Sequence, residues 1–78
     1  MTLKEIFKDD RFAACAGCEL VDISDGYAKA TMKVTEHHLN AGNVCQGGAL
    51  FTLADLAFAA AVNTYKTLSL VILFTLFV

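Results

Sequence analysis

The stretch His38-Leu-Asn-Ala-Gly-Asn-Val-Cys-Gln-Gly-Gly-Ala-Leu-Phe-Thr-Leu-Ala-Asp55 runs from a polar loop through a glycine pair into an apolar segment with a single charge. Beyond Gly47-Gly48, Ala49 to Val62 holds no breaker and is rich in Ala and Leu, which lose little freedom on coiling, so a helix is predicted. Its apolar residues recur nearly all round, which predicts burial on every side. Asn63-Thr64 marks its end.

Upstream, Leu3, Ile6, Phe7 and Phe12 recur at helical spacing, and Thr2 followed by Glu5 has the order of a capping box. One helix from about Thr2 to Ala14 is expected, ended near Gly17. Cys18 to Ile23 alternates as a strand, with Cys18 and Leu20 on one face and Val21 and Ile23 on the other. Ser24-Asp25-Gly26 signals a tight turn, and Tyr27 to Val34 alternates again, completing a hairpin. Thr35 to Gln46, with two His, two Asn and Gly42 but no Pro or Ser, reads as an ordered loop. Leu68 to Val78, β-branched and aromatic, reads as a strand; its eleven residues are too few to cross a bilayer as a helix, which takes about 20. The expected architecture is α+β, a long central helix wrapped by an antiparallel sheet, in one domain over residues 1–78.

Composition narrows the function. A 78-residue chain buries only about 60% of the surface it exposes unfolded, and a second subunit is one source of added stability. With net charge −2 and six Lys and Arg, no basic patch gathers to neutralise phosphates, so nucleic acid is not an expected partner. At 56% hydrophobic residues and mean hydropathy +0.55, the chain is too apolar for disorder. The first eleven residues mix charges with apolar groups and lack the apolar core of a secretory signal, so the expected compartment is the cytoplasm. Cys15, Cys18 and Cys45 are then reduced thiols.

The chemistry centres on Gly47, Gly48 and Asp55. The first N–H groups of a helix lack internal partners and sit at the positive end of its dipole, and glycine lets a substrate oxygen come close. The alternative is a plain glycine turn. Asp55 is the only ionisable group from Ala49 to Val62, and a carboxylate on a buried helix is costly unless paired or used. Desolvation is expected to raise its pKa, with a neighbouring helix dipole opposing that. Local backbone hydrogen bonding is the alternative role. Asn40 is a candidate to position a carbonyl or water, against the commoner role of stabilising its own turn. Gln46 either orients the loop and contacts substrate or is simply an exposed polar residue.

Eight residues of helix separate Gly47 from Asp55, about 12 Å along the axis. A carboxylate acting on a carbonyl carbon whose oxygen binds the glycine N–H must lie within about 3 to 6 Å of it. One helix cannot supply both groups. Two antiparallel copies can, so a homodimer with two equivalent sites is expected.

Asn40, Gln46-Gly47-Gly48 and the run Leu50 to Asn63 resemble the signature of hotdog-fold acyl-CoA thioesterases of the phenylacetic-acid-degradation (PaaI) type. Gly26-Tyr27-Ala28 and Val34-Thr35-Glu36 to His38 are similar as well, so the resemblance covers about residues 5 to 65. It implies that Gly47 polarises the thioester carbonyl; Gly48 and Gln46 beside it are the candidate substrate-binding residues. It implies too that Asp55 acts as nucleophile or general base from the other subunit, and that Asn40 sits in the site loop. The implied partners are an acyl-CoA, aromatic or of short to medium chain, and the chain itself, as a dimer or a dimer of dimers; no metal or redox cofactor is implied. The family usually carries His where Gln46 stands, so an orienting role survives there and an acid role does not. The family also continues with further strands, so this sequence reads as a hotdog domain truncated or frameshifted after Leu68, leaving the sheet incomplete and activity in doubt.

Other chemistry is written in the same sequence. Cys15-Ala-Gly-Cys18 has the spacing of a dithiol or half a zinc site, with Cys45 and His37 or His38 as further ligands. The pair, however, spans a helix end and a strand start, whereas redox motifs open a helix, so separate thiols are the expectation. His37 and His38 are expected to face solvent. Residues 68–78 offer a lipid-binding alternative, weakened by having only Lys66 as a flanking cation.

Overall fold

The computed structural model describes residues 2–64. In chain order these form α1 (Leu3–Phe7), α2 (Arg11–Cys15), β1 (Cys18–Ser24), β2 (Tyr27–Met32), a 3-10 turn (Glu36–His38) and α3 (Gly47–Val62). The strand expected over residues 68–78 lies outside the described residues.

The N-terminal segment is two short helices, not one. Thr2 and Glu5 form the capping box of α1: the Thr2 hydroxyl accepts the Glu5 N–H at 3.2 Å, and Glu5 accepts the Thr2 N–H at 3.4 Å. The break comes at Asp10, whose carboxylate accepts the Ala13 N–H at 3.0 Å and starts α2 instead of continuing α1. A short acidic side chain bonds nearby backbone better at a helix start than in its middle, which periodicity alone does not reveal. Gly17, at φ +81, then turns the chain out of α2 and into β1.

β1 and β2 pair antiparallel from Cys18 opposite Met32 to Ser24 opposite Tyr27, joined through Asp25 and Gly26, with Gly26 at φ +66. The register slips between Leu20 and Asp22, so Val21 is an extra residue in the ladder. That bulge corrects the expected split of β1 into two apolar faces: Cys18, Leu20, Val21 and Ile23 are all half-buried, whereas Glu19, Asp22 and Ser24 are exposed. A bulge shifts side-chain phase by one residue and so gathers apolar groups from both phases onto one side. β2 keeps strict alternation, Ala28, Ala30 and Met32 inward, but ends at Met32, two residues short of Val34.

α3 lies across the inner face of this hairpin, closest to β2. Small residues on both sides, Ala28 and Ala30 on β2 and Ala60 on α3, allow close approach. The buried apolar residues among those described are Ala13, Leu56 and Ala60, the last with no exposed surface. The helix ends as its sequence indicates: the Asn63 backbone N–H and amide both donate to Ala59 O, at 3.1 and 2.7 Å. The Thr64 hydroxyl donates to Ala61 O and accepts the Gly26 N–H, each at 2.7 Å, tying the C-terminal end of α3 to the hairpin turn.

Burial of α3 on every side is not observed. Leu56 and Ala60 face the hairpin, while Leu50, Phe51, Ala54, Asp55 and Phe58 are exposed. Among the described residues the sheet has two strands, which cover one face of the helix, and these apolar residues on its other faces are exposed.

Candidate active site

The loop before α3 is built around Asn40. Its side-chain oxygen accepts the N–H groups of Gly42 at 2.9 Å and Val44 at 3.3 Å, its own N–H donates to Val44 O at 2.8 Å, and its carbonyl accepts the Asn43 N–H at 2.9 Å. A Cβ on Gly42 would stand 3.3 Å from that amide oxygen, and Asn43 takes a left-handed φ of +63 that Asn tolerates well. The turn-stabilising role weighed for Asn40 is therefore real, and it engages only the oxygen; the Asn40 NH2 has no partner among the described residues.

His38 anchors the loop at its base. Its Nδ1 accepts the Thr35 N–H at 2.9 Å, which leaves Nε2 as the protonated nitrogen, and Nε2 donates to Ala16 O at the end of α2. The half-buried ring thus joins segments 22 residues apart. Of the two histidines expected in solvent, only His37 is there, 4.0 Å from the exposed Glu36 carboxylate.

Gln46 caps α3. Its backbone N–H donates to His38 O at 2.7 Å, its carbonyl accepts from Ala49 and Leu50, and its side-chain oxygen accepts the Gly47 N–H at 3.2 Å. The Gly47 donor singled out from sequence is therefore already held by the neighbouring side chain, while the Gly48 N–H has no partner among the described residues. Neither a positive φ nor packing demands glycine at position 47, since a Cβ there would meet nothing within 4 Å.

A cavity of about 340 Å³ opens beside this mouth, walled by Phe12 and Cys15 of α2, His38, Gln46, Gly48 and Thr52. Sequence reasoning missed the α2 contribution, because nothing local to Phe12 or Cys15 marks their approach to residues more than 30 positions away. Phe12 is 74% exposed, a large apolar ring left at the rim.

Asp55 lies two turns down α3 and is exposed, so the cost of burying a carboxylate does not arise in the single chain. Gln46, Gly47 and Gly48 stand together at the mouth, Asn40 holds the turn of the loop that leads into it, and Asp55 is not brought to them. The cysteines remain free thiols, and among the described residues no group of three His, Cys, Asp or Glu side chains is placed to hold a metal ion. Burial, and secondarily the Asp10 carboxylate, push the Cys18 thiol pKa up. No helix among the described residues is long and apolar enough to cross a membrane.

The architecture is that of the hotdog fold, present in part: the long helix on the first antiparallel hairpin. No family model matches the chain. The acyl-coenzyme A thioesterase PaaI of Escherichia coli is 41% identical over 59 residues, which is 76% of this chain and 42% of that protein. The solved structure of E. coli PaaI, from the phenylacetic acid degradation operon, matches with a TM-score of 0.66 over 76% of this chain and 45% of that one. A protein of Archaeoglobus fulgidus with a provisional esterase name is 45% identical over 67 residues, 86% of this chain and 44% of its own length. The chain is a homologue of PaaI, and it spans less than half the length of each relative it matches.

Proposed function

We propose that residues 1–78 are part of a single hotdog domain that hydrolyses acyl-CoA thioesters as a homodimer in the cytoplasm. The observation that carries this reading is Asp55: it is the sole ionisable group of α3, exposed, and flanked by the uncovered apolar residues Leu50, Ala54 and Phe58. A carboxylate in that setting becomes a desolvated, reactive group once a second helix covers the stripe. The 41% identity to a protein named as an acyl-CoA thioesterase supports the same chemistry.

In the dimer, the thioester oxygen accepts from the Gly47 N–H of one copy, beside Gly48 and the Asn40 amide, and the Asp55 carboxylate of the other copy meets the carbonyl carbon. Asp55 either attacks it directly or takes a proton from an attacking water. The C–S bond breaks, CoA leaves as the thiol, and one water is consumed per free acid formed. Neither metal nor redox cofactor is needed for this displacement. The apolar cavity beside Gly48 suits an aromatic or medium-length acyl group in size.

Thiol release from phenylacetyl-, hexanoyl- and acetyl-CoA tests the reading. Asp55→Asn should lower kcat by about a hundredfold or more while circular dichroism keeps the wild-type helix signal. Equal rates for the two proteins would remove Asp55 from the mechanism, and no release by the wild type would remove the activity from this chain.

A further inference from the structure

We propose that the Gln46 side chain is a displaceable cap: at rest it occupies the Gly47 N–H, and an incoming thioester carbonyl must turn it away to bind. The inference rests on the thioesterase reading and adds to it a residue that sets substrate affinity by competition.

The backbone of Gln46 is held by three hydrogen bonds, one donated to His38 O and two accepted from Ala49 and Leu50. Movement is therefore confined to the side chain. Its bond to Gly47 is a neutral contact at 3.2 Å in an exposed position, at the weak end of the range, so a well-aligned carbonyl can replace it. Room exists on both sides of the exchange. A Cβ on Gly47 would meet nothing within 4 Å beyond its own chain neighbours, so no other segment crowds this residue, and Gln46 forms part of the wall of the 340 Å³ cavity, which can receive the displaced amide.

A cap that competes with substrate couples stability and affinity in opposite directions. Gln46→Ala removes the cap, which weakens the helix start and frees the donor. Gln46→Glu puts a carboxylate on the same N–H, at the positive end of the α3 dipole, and holds it more strongly. A residue that merely supports the loop would move both quantities the same way.

The test compares wild type, Gln46→Ala and Gln46→Glu in the 78-residue chain at 0.15 M salt. Thermal midpoints are read alongside calorimetric binding of a ketone analogue of phenylacetyl-CoA, with CH2 in place of sulfur. That analogue offers the carbonyl oxygen but cannot be hydrolysed. The midpoint should be highest for Gln46→Glu and lowest for Gln46→Ala; analogue affinity should follow the reverse order, each step being about threefold to tenfold. CoA alone, lacking the thioester carbonyl, should bind all three equally. Weaker binding by Gln46→Ala than by wild type, or no binding by any of the three, overturns the cap. The expected order of binding without thiol release from the true thioester would retire the hydrolase reading and leave the cap standing.

Discussion

Gly47 and Asp55 stand on one unbroken helix, both open to solvent and eight residues, about 12 Å, apart. A rigid helix keeps them there, so any reaction that uses both must draw them from two copies. Complementation follows. Gly47→Ala, which adds a Cβ into open space and so leaves the fold intact, and Asp55→Asn should each be nearly inactive alone. Mixed and allowed to exchange subunits, they should regain about a quarter of the wild-type rate, because half the dimers are mixed and one of their two sites is unaltered. Thiol release after co-refolding checks this, and no recovery would place both groups in one chain.

The exposed stripe of α3 should be the surface that closes in that dimer. Leu50→Lys and Phe58→Glu, at residues 50% and 41% exposed, should each shift the sedimentation coefficient toward the monomer and lower activity together with it. A monomeric wild type would contradict the arrangement.

Asn40 has two separable halves. Asn40→Asp keeps the oxygen that accepts from Gly42 and Val44 but lacks the NH2, so stability should stay within about 0.5 kcal/mol while KM rises. Asn40→Ala loses both and should cost about 1 to 2 kcal/mol in addition. Urea unfolding and steady-state kinetics on the same samples separate the two effects.

Thr64 clasps the hairpin turn to the end of α3. Thr64→Val removes the acceptor for the Gly26 N–H and should lower stability by about 1 kcal/mol, read as a lower urea midpoint at unchanged slope.

Among the thiols, Cys18 should react last. Its raised pKa lowers the thiolate fraction at any given pH, so alkylation by iodoacetamide at pH 8 should lag behind the exposed Cys15. Because the Asp10 carboxylate contributes after burial, Asp10→Asn should speed the reaction modestly. Peptide mass spectrometry resolves the sites.

Much of this was legible from residue order because it is local. The Thr2–Glu5 capping box, the Asp25-Gly26 turn, the alternation of β2 and the breaker-free run of α3 each depend on groups a few positions apart, and each stands in the fold. The failures share a different cause. Periodicity merged α1 with α2 because it does not weigh Asp10 as a cap. It split β1 into two apolar faces because a one-residue bulge reverses phase without any mark of its own. It buried α3 completely because composition cannot say which faces of a helix the rest of the chain covers.

The amino-acid sequence by itself determined the hairpin, the long helix α3, its glycine mouth and the solitary carboxylate on it, all set by propensity and short-range hydrogen bonding. Tertiary structure alone decided what those groups meet. It turned His38 inward to Ala16, brought Phe12 and Cys15 to the cavity beside Gly48, and left Asp55 on an open face. Those relationships join residues far apart in the chain or depend on which side of α3 is covered, and only packing against the hairpin selects among the arrangements that local preference allows.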